Sequence, residues 1–482
     1  MSQEAHFHIP NTAICAGRNA KGQPIIFVAT EEDRHKGEFA AFALREAVDV
    51  QVVGYEKLST FESRILNEAG VGQENVLSAI EEIDDFEEAE NLLESSQDDA
   101  PVIHWVASAI SRALSRGSSD IHIEPYEKFS KLRFRIDGVL HDVATLPKKA
   151  HQPVITRIKV LAALNVAESR LPQDGRMRVK MGNNHTDLRI STIPSSFGER
   201  VVLRLLEGAG TDLTLEHVGF TGSQKERFQR AIFQPNGIIL VTGPTGSGKT
   251  TTLYAALREL KSPERNILTI EDPVEYRIEG ISQVQVNPKI GLTFANGLRS
   301  FLRQDPDVIM VGEIRDLETA TVAIQASLTG HLVMATLHTN SSVGVVTRLA
   351  DMGVEKYLIA STLVASLAQR LVRRLCPHCQ VPAQLFGKER ELVMSYGLDP
   401  ELFKESSGCE ECMQTGYRGR IGIYELFVPG TEDKSIMSRT DDEATLLQHA
   451  VANGLVTLMV DGLQKAAQGI TSVKEILRVT SE

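Results

Sequence analysis

The sequence predicts an α/β protein of several domains, with a parallel sheet at its centre. Three observations predict it. Short apolar runs at 237–243, 267–270, 308–311 and 332–335 recur along the middle of the chain, each ending in a polar group. Runs of that length read as strands covered by helices on both faces of a parallel sheet. The first leads into a glycine-rich turn, and two Cys-x-x-Cys pairs follow at Cys376/Cys379 and Cys409/Cys412.

At 482 residues the chain is too long for one core, and the length prior gives roughly three domains. Apolar content of 42% and charged content of 24% are ordinary for a globular protein. No stretch approaches the roughly 18 apolar residues that span a bilayer, and the start of the chain lacks the basic and apolar segments of a secretory signal. A cytoplasmic protein is expected. A net charge of −12 argues against wholesale nucleic-acid binding, while leaving room for a local basic channel.

Taken in order, residues 1–80 read as a small α/β unit: an apolar run at 24–28, a helical stretch at 37–48, then a strand at 50–53. Ser59 and Glu62 form a capping box opening a further helix towards Ala69. Residues 81–99 are acidic and free of bases, which suits a solvated linker, a mobile helix or an acidic docking arm.

Residues 100–210 form a second unit. Val102, Ile103, Val106, Ile110 and Leu114 recur at helical spacing before Gly117. Alternation at 120–124, 132–137, 188–190 and 201–205 reads as strands. Arg133, Arg135, Arg176, Arg178, Arg189, Arg200 and Arg204 enrich this unit in arginine. Most suit the solvated face of a sheet, but guanidinium is also the usual cation for a transferring phosphoryl group.

Residues 215–375 carry the glycine-rich turn, Gly243, Pro244, Thr245, Gly246, Ser247, Gly248, Lys249 and Thr250. It fits G-x-x-x-x-G-K-[ST], the phosphate-binding loop, in the strand-to-helix position the motif requires. The glycines let successive N–H groups point at one anion. Lys249 supplies charge for the terminal phosphates, Thr250 a hydroxyl for Mg²⁺, and the helix its dipole. A nucleoside triphosphate is the implied ligand. The other runs end at Glu271, Glu313 and His338. Parallel sheets bind ligands at the carboxyl ends of their strands, so all three should share an edge with Lys249. One carboxylate can hold Mg²⁺ and the other can activate water. His338 can donate to the γ-phosphate, although a lone histidine after a strand is often structural.

Residues 376–425 hold the cysteine pairs, which in a cytoplasmic chain signal a structural, tetrahedral Zn²⁺ on Cys376, Cys379, Cys409 and Cys412. Helices should fill the long insert between the pairs, and His378 is the only rival ligand. Cys15 stands alone. Residues 426–482 read as helical, the last helix starting near Thr471.

These motifs together resemble the ATPases that energise type II secretion and type IV pilus assembly, over residues 98–482. The resemblance rests on segments 119–125 and 171–176, the phosphate loop, an aspartate box at 269–275, a Walker B segment at 301–316, a histidine box at 330–340, and 416–424 after the cysteines. Segments 326–330 and 367–372 favour the secretion branch. The resemblance implies a homohexameric ring of cytoplasmic subunits using ATP, Mg²⁺ and Zn²⁺, with a RecA-like nucleotide domain, a PAS-like middle domain and a zinc-bound C-terminal subdomain. It implies Glu271 as the water-activating base and Glu313 on the Mg²⁺ side, two roles that could be exchanged. It assigns Arg176 and Arg189 to a clamp on the γ-phosphate. The partners implied are docking and platform proteins of the inner membrane, bound without direct nucleic-acid contact, so that membrane association is peripheral. The short N-terminal unit departs from relatives that carry cyclic-dinucleotide-binding repeats. A motor for DNA uptake or conjugation, and a nucleotide-sensing scaffold, are the alternative readings.

Overall fold

The computed structural model describes residues 4–8, 14–18, 24–28, 49–52, 100–181, 184–206, 213–440 and 442–480. The chain divides into two compact units, residues 1–208 and 209–482.

Within the first unit, β1 (Glu4–His8), β2 (Ile14–Arg18), β3 (Pro24–Val28) and β4 (Asp49–Val52) form a sheet in that order. The pairings are antiparallel except for β3 with β4, which is parallel. A parallel pair needs a crossover connection; the helix expected at 37–48 falls outside the described residues. So do the Ser59 capping box and the acidic stretch at 81–99.

The same unit contains α1 (Ala100–Ser115), β5 (Ser118–Pro125), β6 (Phe129–Ile136), β7 (Val139–Pro147), α2 (Lys148–Leu161), β8 (Gln173–Met181), β9 (Asn184–Ser195) and β10 (Gly198–Leu206). The six strands make an antiparallel sheet in the order β7-β6-β5-β10-β9-β8. Period-two alternation sends Leu132, Phe134, Ile190 and Leu203 into a core shared with Trp105 of α1 and Ile155 of α2. The intervening positions hold the arginines, most of them in ion pairs. Arg133 bridges Glu124 at 3.3 Å and Asp142 at 2.9 Å, and Arg200 meets Glu124 at 2.8 Å. Arg204 meets Asp120 at 2.9 Å, Arg135 approaches it at 3.8 Å, and Arg178 meets Asp187 at 2.7 Å.

The second unit opens with α3 (Leu215–Val218) and α4 (Gly222–Ile232) and is built on a seven-stranded sheet. Its strands are β11 (Gly237–Thr242), β12 (Ile267–Glu271), β13 (Ser282–Gln285), β14 (Val308–Val311), β15 (Leu332–Leu337), β16 (Leu363–Leu375) and β19 (Tyr417–Phe427). The order is β13-β12-β14-β15-β11-β16-β19, parallel except for the β16–β19 pair. Both faces are dry, as the unbroken apolar runs require. Ile238 and Leu240 of β11 enter the core on one face, and Ile239 and Val241 enter the other. Helices α5 (Lys249–Leu260), α6 (Phe294–Phe301), α7 (Leu317–Leu328), α8 (Gly344–Asp351) and α9 (Lys356–Thr362) cover them.

The stretch 376–425, read from sequence as one tetracysteine unit, divides in two. Residues 376–416 form an insertion with β17 (Gln380–Pro382), α10 (Gly387–Ser395) and β18 (Lys404–Ser406). Beyond it, β19 (Tyr417–Phe427) returns to the main sheet beside β16. The rest is helical: α11 (Thr431–Arg439), α12 (Glu443–Ala452), α13 (Leu458–Ala467) and α14 (Val473–Thr480). Leu463 and Ile476 share one core with Val372, Ile423, Val393 and Phe403, which joins tail, insertion and sheet.

Candidate active site

The phosphate loop leaves the central sheet between β15 and β16. Gly243 has φ 145° and Gly248 has φ 85°, backbone conformations that L side chains rarely adopt. Space imposes the same choice: a Cβ on Gly243 would lie 2.5 Å from the Gln369 carbonyl oxygen, and one on Gly248 2.8 Å from Gln369 Nε2. The loop is also tied to its neighbours. Thr242 Oγ1 accepts from the Thr339 N–H at 2.6 Å, and Thr252 Oγ1 donates to Gln369 Oε1 at 2.8 Å. Lys249 Nζ folds back over the loop and donates to the carbonyls of Gly243 and Pro244 at 2.8 and 3.1 Å. The Ser247 hydroxyl is buried and hydrogen-bonds nothing among the described residues. A phosphate oxygen would satisfy it.

Burial pushes the Lys249 ammonium down to about 8; the Glu313 carboxylate opposes this and the Arg370 guanidinium adds to it. Glu313 follows β14, its side chain 19% exposed, where it pairs with Arg315 and lies 3.7 Å from His338 Nε2. His338, half exposed after β15, is held below its usual range by burial and by Lys249, with Glu313 acting in the other direction.

Glu271 ends β12 in a different setting. Its carboxylate is 2% exposed and accepts from Thr269 Oγ1 at 2.5 Å, Gln283 Nε2 at 3.2 Å and the Tyr254 hydroxyl. Burial raises its pKa and those three donors partly offset the rise. Sheet order separates the two acids further. β12 is three strands from β11, β14 is two, and β15 is adjacent. At about 4.8 Å per strand, Glu313 starts nearer the phosphate loop than Glu271 by one strand spacing. The sequence assigns no site role to Tyr254, and Gln369 enters it only within segment 367–372.

Arg176 and Arg189 belong to the first unit. They are register partners on β8 and β9, and Arg189 is opposite Arg204 of β10. Paired residues on antiparallel strands share a face, so three guanidinium groups line one row. Adjacent like charges are unfavourable and suit an anion. Arg204 has Asp120, whereas Arg176 is exposed and makes no ion pair among the described residues.

At the insertion, the sulfurs of Cys376, Cys379, Cys409 and Cys412 all lie within 4.8 Å of one another. Sγ separations of 3.8 Å for Cys376–Cys409 and Cys379–Cys412, and 3.6 Å for Cys409–Cys412, match the edges of a tetrahedron with bonds of about 2.3 Å. His378 is exposed and stands outside this group.

A profile of the family described as "Type II/IV secretion system protein" matches residues 95–478. The chain belongs to this family. It is 50% identical over 428 residues to the type II secretion system ATPase E of Vibrio cholerae, covering 89% of this chain and 84% of that one. It is 49% identical over 399 residues to the type II secretion system protein E of Pseudomonas aeruginosa, covering 83% and 79% respectively. The solved structure of the ATPase DotB from Legionella pneumophila has a similar fold, with a TM-score of 0.58 over 78% of this chain and 94% of that one at 23% identity.

The lowered Lys249 pKa has two consequences of opposite sign. The folded chain releases this proton near pH 8, the unfolded chain only near about 10.4. The destabilising effect of Lys249 is therefore full below pH 8 and relieved as pH rises. Phosphate binding favours the charged form, so nucleotide affinity should fall as pH rises past about 8. Titrating a fluorescent ATP analogue between about pH 7 and 9.5 tests this. Lys249→Met should bind weakly without that step, and a flat profile in the wild type would contradict the assignment.

Proposed function

We propose that this chain is the ATPase of a type II secretion machine and that it hydrolyses ATP at the carboxyl edge of the 209–482 sheet to power protein export. The observation that carries this reading is the phosphate loop sharing one edge with Glu313 and His338, in a chain of this family. The 209–482 unit is the RecA-like domain and residues 100–206 the PAS-like one. A parallel sheet flanked by helices supports the first assignment, and a six-stranded antiparallel sheet with helices on one face supports the second.

The phosphate-loop amides, Lys249 and Ser247 hold the triphosphate. The Thr250 hydroxyl would hold Mg²⁺, which would supply positive charge to the β- and γ-phosphates. Glu313 orients the attacking water and accepts its proton as oxygen bonds to the γ-phosphorus. The bond from that phosphorus to the β–γ bridging oxygen breaks, leaving ADP and phosphate. Glu271, already satisfied by three donors and linked through Tyr254 to α5, supports the edge. This reverses the order of roles that the sequence suggests. His338 lies beside Glu313 and follows the γ-phosphate. Arg176 and Arg189 close on the γ-phosphate, and their release after hydrolysis converts chemistry into domain movement.

Members of the family work as oligomers with membrane platforms, and a homohexamer on an inner-membrane platform suits this chain. No helix among the described residues is long and apolar enough to cross a membrane, which fits a cytoplasmic subunit held peripherally by partners. The acidic balance favours protein export over a DNA motor. The four cysteines would hold Zn²⁺, which would tie the ends of the 376–416 insertion together, with four thiolates leaving no open position for catalysis.

Glu313→Gln should lower phosphate release by about 10² or more while ATP binding persists. Glu271→Gln should cost less than about tenfold in rate and about 1–3 kcal/mol in stability. Normal hydrolysis by Glu313→Gln, with none by Glu271→Gln, would restore the opposite order. In cells, normal export with Glu313→Gln would sink the motor reading. Metal analysis of the purified chain should find about one zinc per subunit, and its removal should loosen the insertion. A metal-free chain with the insertion fully folded would contradict the zinc assignment.

A further inference from the structure

The residues just after His338 are pinned one strand after another. Thr339 is bound to Thr242 of β11, through its N–H at 2.6 Å and its hydroxyl at 2.8 Å. The Ser342 carbonyl accepts from Ser366 Oγ of β16 at 2.7 Å. The Ser342 N–H and hydroxyl both donate to Glu425 Oε1 on β19, at 2.8 and 2.7 Å. Sheet order runs β15-β11-β16-β19, so the segment that leaves β15 is carried across its three neighbours and fastened to the last of them.

This fastening is dry. Ser342 and Ser366 are fully buried and Glu425 is 5% exposed. Burying a carboxyl group is costly unless it is hydrogen-bonded, so Ser342 and Glu425 hold each other in place. One residue earlier, Ser341 Oγ donates to Glu443 Oε1 at the start of α12 and accepts from the Gly344 N–H at 2.9 Å. A Cβ on Gly344 would lie 3.0 Å from both Glu443 oxygens, a crowding that glycine avoids. Glu443 is exposed, and its bond to Ser341 therefore adds less than the buried one.

The reacting end of the segment is freer. His338 is half exposed and faces Glu313 at 3.7 Å. Its position is set largely by the backbone that follows it, and that backbone ends on Glu425. No nucleotide-binding motif contains Glu425, which lies beyond the 376–416 insertion.

We propose that Glu425 is a positioning residue for ATP hydrolysis: by holding Ser342 it fixes residues 339–342 across the sheet and keeps His338 against Glu313. This rests on the hydrolytic reading of the site. Glu425 acts through Ser342 and is separate from the phosphate loop, so its loss should slow the chemical step and leave nucleotide binding intact.

The test compares steady-state ATP hydrolysis with binding of a fluorescent ATP analogue, using the full chain. Glu425→Leu and Ser342→Ala should each lower kcat about tenfold and leave analogue affinity within about twofold. Both remove the same contact, so the double variant should be only about as slow as the slower single one. Glu425→Gln keeps an acceptor oxygen for Ser342 and should retain at least about a third of the wild-type kcat. A purely structural Glu425 would lower thermal stability while the folded variants kept the wild-type kcat, and that pattern overturns the proposal. Additive losses in the double variant overturn it too, as do equal losses of kcat and analogue affinity. If Glu425→Leu fails to fold, Ser342→Ala decides, and a normal kcat there is fatal. A wild-type chain that binds the analogue but never releases phosphate would remove the hydrolytic reading itself. Wild-type hydrolysis that these variants leave unchanged would remove only the role of Glu425.

Discussion

The parallel register of β11, β12, β14 and β15 is the constraint on which the site depends. Ile238, Val333, Ile309 and Leu268 lie level across the four strands, so the strands end almost in line. Glu271 is the last residue of β12, Gly243 and His338 follow β11 and β15 directly, and Glu313 lies two residues beyond β14. The register is set by burial on both faces: slipping a strand by one residue would exchange the side chains of its two cores. Side chains such as Ile238 and Ile239, fully removed from water on opposite faces, resist that exchange. The dry sheet therefore places charged groups that have no stabilising reason of their own to meet.

Burial then differentiates those groups. Lys249 is covered and its charge is disfavoured until phosphate arrives. Glu271 is covered and satisfied by Thr269, Gln283 and Tyr254. Glu313 retains access to solvent and faces His338. The two acids thus acquire different surroundings, one fixed in a buried network and one open to solvent.

Much of this was legible in the sequence because the signals were local. The phosphate loop is a contiguous motif whose glycines meet both steric and conformational demands. The parallel strands announced themselves as unbroken apolar runs, and the cysteine pairs by their spacing. What escaped depended on long-range pairing. The relative distance of Glu271 and Glu313 from the loop follows from strand order, which local pattern does not encode. The return of β19 to the sheet required knowing that 376–416 is an insertion between neighbouring strands. β1 and β2, five residues each, were too short and mixed for periodicity to expose. Segment 367–372 marks the secretion branch in the sequence, and its place beside the phosphate loop follows only from the pairing of β16 with β11.

The first unit contributes a different kind of order. Its arginine row places Arg176, Arg189 and Arg204 side by side, with acids supplied to some members and none to Arg176 among the described residues. The central claim remains that ATP is cleaved at the carboxyl edge of the other unit. Single-turnover phosphate release from radiolabelled ATP, with Mg²⁺ and the full chain in excess, tests it most directly against Lys249→Ala. The expected result is release by the wild type, and weakened binding without release by Lys249→Ala; equal release by both would contradict the account.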